Sequence, residues 1–105
     1  RHPRPEAETL RIYGTPERIA WVARQPCILC GMSPCENAHA KGGGTGRKAN
    51  ACWIVPICPP HHSQLHTIGV QSFEKMFRID LADAASLTDA RWEQHYAITH
   101  PEPKP

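Results

Sequence analysis

Two short spacings of cysteine and histidine constrain this chain more than anything else in it. Cys27-Ile28-Leu29-Cys30 is a C-x-x-C and Cys58-Pro59-Pro60-His61 is a C-x-x-H, with 27 residues between the two. Three of the seven histidines, His61, His62 and His66, fall within six residues. Thiolates and imidazoles gathered this way suit a four-ligand zinc site. Five cysteines is an odd number, so complete internal disulfide pairing is excluded. The chain also needs such a site. It has 105 residues, of which 40% are hydrophobic and 7% aromatic, and a small domain with a thin core usually needs a staple. A structural zinc on Cys27, Cys30, Cys58 and His61 is therefore expected, in a reducing and so cytoplasmic compartment. The plainer alternative is a set of ordinary buried thiols, which are common in cores; paired knuckles are a more specific pattern than that. Cys35 and Cys52 have no partner at knuckle spacing and read as free or packed thiols.

The rest of the chain organises itself around the knuckles as a single domain, residues 1–105. Residues 1–8 and 100–105 are rich in proline and charge and read as flexible tails. Thr15-Pro16-Glu17 opens a helix that carries Ile19, Ala20, Val22 and Ala23 and stops before Pro26. Residues 27–35 form a tight turn, 36–40 a short strand, and 41–48, KGGGTGRK, a basic glycine-rich connection. Residues 51–57 are strand-like, with Pro56 near an edge. Pro59 and Pro60 suit a helix start, and that helix runs to Gly69 as its C-cap. A further helix begins at Ser72, and a last one covers 80–97 with Leu81, Ala84, Ala85, Leu87, Trp92 and Tyr96 buried. This order gives a small α+β fold: a hairpin with a helix directly after it, and helices on either flank. No run of ~18 apolar residues is present, so no membrane span is expected, and no secretory leader is visible.

A second constellation lies beside the first. His62 and His66 stand one turn apart on one helix face, a spacing that suits a divalent-metal clamp or a solvated histidine face. His61 is turned from His62 by about 100°, so it can serve a different ion. His39, on the first strand, can act as a neutral base toward water or be a plain surface or core histidine. Lys41, Arg47 and Lys48 offer cations for phosphate contact or simply keep the connection soluble. The net charge of +2 permits a nucleic-acid partner without requiring one.

With knuckle, hairpin, histidine and histidine-bearing helix in this order, the chain resembles HNH endonucleases of the ββα-metal (His-Me finger) fold, in the compact phage and prophage type. The segments that carry the resemblance are CILCG, AHAKGGGTGRK and WIVPICPPHHSQLH, within residues 27–69, and the helical pattern over 70–97 is similar to that type's tail. The resemblance implies a metal-dependent hydrolase of DNA phosphodiester bonds, acting on DNA that includes branched or single-stranded forms, in a bacterial or phage setting. It implies His39 as general base, His62 as catalytic metal ligand, and His66 as an added ligand. It implies a structural Zn2+ on Cys27, Cys30, Cys58 and His61, an exchangeable catalytic Mg2+, Mn2+, Ni2+ or Zn2+, and DNA contacts from Lys41, Arg47 and Lys48. Two positions depart from the pattern. Ala38 stands where an Asp or His ligand is usual, and Trp53 stands where the middle Asn is usual; Asn50, three residues earlier, is the substitute expected to pin the hairpin and orient His39. Two other classes fit the same residues: a zinc-stabilised nucleic-acid-binding module without catalysis, and a zinc-scaffolded protein-interaction domain.

Overall fold

The structure is a computed structural model that describes residues 6–40 and 50–102. Among the described residues the elements run α1 Glu6–Tyr13, α2 Pro16–Arg24, β1 Glu36–His39, β2 Ile54–Ile57, α3 Pro59–Ile68, α4 Val70–Phe77 and α5 Leu81–Thr99. Local chemistry sets most of these limits. The Thr15 side chain accepts the Arg18 N–H at 3.1 Å and Pro16 takes the first position of α2, an arrangement that satisfies a donor the helix cannot. Two prolines open α3 after Cys58, and Gly69, with φ +86°, closes it and opens α4. That shared glycine is why α4 starts at Val70 rather than at the expected Ser72. Arg78, in the left-handed region at φ 53°, ends α4, and the Asp80 carboxylate accepts the Asp83 N–H at 3.0 Å to open α5.

The two strands pair antiparallel, with Glu36 opposite Ile57, Ala38 opposite Val55 and His39 opposite Ile54. Alternation then sorts their side chains. Ala38, Val55 and Ile57 face a core built with Leu65, Phe73, Leu81 and Ala85. Ile54 faces a second cluster with Trp21, Val22 and Trp92. The hairpin is thus covered on both faces, by α3, α4 and the start of α5 on one and by α2 and the middle of α5 on the other. Each fully buried Ile, Val or Phe contributes about 1.5–3 kcal/mol through burial. Arg18 ties three elements together: its buried guanidinium donates to the Ala51 carbonyl and to Asp89 Oδ1, both at 3.0 Å.

Three further expectations are corrected. The segment 51–57 is not all strand: Ala51–Trp53 form one 3-10 turn, capped by Asn50 Oδ1 accepting the Cys52 N–H at 2.9 Å. Residues 6–8 belong to α1 instead of to a frayed terminus. Leu87 and Tyr96 are 53% and 43% exposed, because the buried stripe of α5 passes through Leu81, Ala85, Thr88 and Trp92 and turns them outward. No helix among the described residues is long and apolar enough to cross a membrane.

Candidate functional site

The first knuckle is shaped by backbone hydrogen bonds. Gly31 N–H donates to the Cys27 carbonyl at 2.9 Å and Leu29 N–H to Cys27 Sγ at 3.4 Å. The second knuckle sits where β2 turns into α3, and it places His61 in the first turn of that helix. The ligand atoms of Cys27, Cys30, Cys58 and His61 all lie within 4.8 Å of one another. Cys30 Sγ is 3.7 Å from Cys58 Sγ; His61 Nδ1 is 3.2 Å from Cys58 Sγ and 3.9 Å from Cys27 Sγ. Tetrahedral zinc with ordinary Zn–S and Zn–N bonds sets its sulfurs about 3.8 Å apart and sulfur from nitrogen about 3.6 Å apart. All five cysteines are free thiols. The cluster therefore fits a structural metal such as zinc, held as Cys3His.

The thiols around this cluster differ in acidity. Burial alone would raise Cys27, but hydrogen bonds from the backbone at Cys58, Leu29 and Cys30 and from the His61 ring outweigh it and bring it from 9.0 down to about 6. Cys58 is pushed up by burial and by the neighbouring Cys30 and Cys27 sulfurs. Cys35 lies behind the cluster, donates its S–H to the Met32 carbonyl at 3.3 Å, and is raised to about 11 by burial and by the surrounding thiols. Cys35 lies outside the four-residue group.

A cavity of about 360 Å³ opens between β1 and α3, lined by Tyr13, Asn37, His39, His62, Leu65 and His66, among others. His62 and His66 bring their Nε2 atoms to 3.1 Å, with ring centroids 4.7 Å apart. The other His62 nitrogen, Nδ1, lies 2.7 Å from Glu36 Oε1. His39 Nε2–H donates to the Ile12 carbonyl at 2.8 Å, and its ring tilts against Tyr13 with centroids 5.0 Å apart. A carbonyl can only accept, so this bond puts the His39 proton on Nε2. Asn37 donates Nδ2–H to the Ile19 carbonyl at 3.1 Å, while its Oδ1 is buried with no hydrogen-bond partner among the described residues.

His39, His62 and His66 therefore share one cavity, and Cys27, Cys30, Cys58 and His61 share a separate cluster. Asn50 belongs to neither. It lines a groove with Arg18, Asp89 and Trp92, and the orienting of His39 expected of it falls to the Ile12 carbonyl. Ala38 is fully buried and brings no ligand atom. Lys41, Arg47 and Lys48 lie outside the described residues. Sequence reading missed Glu36, Asn37 and Tyr13. Period-2 alternation from Ala38 carried the needed signal for Glu36, since it sets both on the strand face that meets α3.

Comparison with known proteins gives a family and no activity. The sequence model of a family described as "Protein of unknown function (DUF968)" matches residues 4–95, most of the chain, and the chain belongs to that family. Among individual relatives, "Uncharacterized protein YdfU" of Escherichia coli (strain K12) is 44% identical over 50 residues, which cover 45% of this chain and 14% of that protein. The match thus spans about a seventh of the relative's length. No solved structure matches.

Proposed function

We propose that this protein is a metal-dependent HNH-type endonuclease that hydrolyses DNA phosphodiester bonds, with residues 27–69 as a ββα-metal core. The observation that supports this most is the convergence of His39 from β1 with His62 and His66 from α3 on one cavity, apart from the Cys3His cluster that staples the same hairpin and helix. His39 is the general base. Its ring is oriented by the Nε2–H bond to the Ile12 carbonyl. His62 and His66 hold the catalytic divalent cation, which when bound stabilises negative charge on the phosphate. Arg47, Lys48 and Lys41 supply phosphate contacts that position the strand.

The burial of Ala38, which offers no ligand, favours a second reading: a zinc-stabilised module that binds nucleic acid without cutting it. A plasmid-nicking time course for wild type and His39→Ala, run beside a DNA-binding titration, separates the two. Nicking by wild type and a ~10²–10⁴-fold loss in His39→Ala, the usual worth of a general base, with binding unchanged, is the expected result. Binding without nicking by wild type selects the second reading. Equal nicking by both proteins removes His39 from the mechanism.

A further inference from the structure

We propose that Glu36 is a positioning residue for a transition-metal site on His62 and His66, acting by fixing the His62 proton on Nδ1 so that the Nε2 lone pair faces His66. This rests on the reading of those two histidines as cation ligands and adds to it a residue that sequence motifs do not single out.

Three observations carry the proposal. First, Glu36 Oε1 lies 2.7 Å from His62 Nδ1, the length of a charge-assisted hydrogen bond. An ionised carboxylate only accepts, so the proton of a neutral His62 must lie on Nδ1 and the lone pair on Nε2. Second, that Nε2 is 3.1 Å from His66 Nε2. Two nitrogens at ordinary metal–nitrogen distances and 3.1 Å apart subtend about 98° at a shared ion, a normal ligand angle. Third, strand register puts Glu36 on the same face as Ala38, the face toward α3. Ala38 gives the site nothing to coordinate with, and the neighbouring position on that face supplies a carboxylate instead.

The effect of that carboxylate is specific. A histidine ligand whose second nitrogen donates to a carboxylate is held in one tautomer and one ring orientation, and is more basic toward the metal. A site with only two protein ligands depends on this heavily, because a wrong tautomer on either ring removes half of it. Two imidazoles also select the ion: they favour Ni2+, Co2+ or Zn2+ over Mg2+, whose preference is for oxygen. The Glu36 side chain is 53% exposed and outside both cores, so replacing it leaves the packing intact.

The test uses the zinc-loaded full chain and Ni2+ alone as probe. Calorimetric titration of wild type is expected to show one Ni2+ site beyond the zinc, abolished in His66→Ala and weakened about 10–100-fold in Glu36→Ala. Glu36→Gln, whose amide oxygen still accepts the Nδ1–H, is expected to recover part of that loss. Long-range 1H–15N spectra give a readout that a merely structural role would not move: His62 protonated on Nδ1 in wild type and Glu36→Gln, and redistributed toward Nε2 in Glu36→Ala. Equal Ni2+ affinity in wild type and Glu36→Ala overturns the role of Glu36 while the cation reading stands. A wild-type protein that binds no Ni2+ beyond its zinc overturns both. A His62 proton on Nε2 in wild type overturns the proposal whatever the variants do.

Discussion

His61 and His62 are adjacent on α3, yet one points into the Cys3His cluster and the other into the cavity with His39 and His66. The cluster is closed. Its ligands come from two tight turns, two of its cysteines are buried, and its four ligand atoms lie within 4.8 Å of one another. The cavity is open, and its histidines are held from outside by the Ile12 carbonyl and the Glu36 carboxylate. The difference is one of construction. The cluster is made by spacing within the chain, and a metal on it would lock the hairpin to α3. The cavity is made by what the locked hairpin and α1 then bring together. One helix residue and about 100° of rotation separate a cluster that fits a structural metal from a cavity lined by three histidines.

The largest expected effect comes from breaking the closed site. Cys30→Ala removes one metal bond and leaves the Cys27 and Cys58 sulfurs beside each other. Metal binding in small zinc domains is folding free energy, on the order of 10–16 kcal/mol apparent, so this variant is expected to lose both zinc and cooperative melting. Elemental analysis with thermal melting by circular dichroism checks it, and an unchanged melt would remove zinc from the folding of this chain. His62→Ala tests the division from the other side: the proposed nicking is expected to be abolished, while zinc content and melting temperature hold. Loss of zinc in His62→Ala would show that the two neighbours do not serve separate sites.

A smaller effect is expected from acid. The Cys27 thiol has a folded pKa of about 6 against an ordinary 9.0. A depressed pKa contributes stability that is complete above 9 and is lost as pH falls through about 6. Protons compete with the metal for the same sulfur, so bound zinc lowers that window further. Melting temperature at fixed free zinc should therefore decline between pH 7.5 and 5, and zinc should leave in step with it. A melt that is flat over this range would mean that Cys27 is not the sulfur whose ionisation the fold depends on.

The two sites were unequally legible in the sequence. Cys27, Cys30, Cys58 and His61 declare themselves because knuckle spacing is local and few other structures need it. Thr15-Pro16 and Pro59 to Gly69 mark α2 and α3 for the same reason: caps and breakers act within a few residues. The partners of the cavity histidines are different in kind. Glu36 reaches His62 across 26 positions and the Ile12 carbonyl reaches His39 across 27; strand alternation sets the face of Glu36, but no short pattern encodes either contact. Arg18 looks like a surface residue of α2 until Asp89, 71 positions away, and the Ala51 carbonyl surround it. Leu87 and Tyr96 are apolar yet exposed because the inward stripe of α5 is narrow.

Ala38 has a consequence for how this site can change over generations. Its methyl is sealed at 0% exposure, opposite Val55 and against a cluster that includes Leu65 and Phe73. A larger side chain there overpacks the core by about 1–3 kcal/mol, and a carboxylate adds the further cost of burying charge. An aspartate or histidine at position 38 therefore cannot arise in one step without weakening the fold. Space has to open first, through a smaller residue at Val55 or Leu65. The order of substitutions is constrained, and the carboxylate at Glu36, which accepts from His62 on the solvent side of the packing barrier, is not subject to it.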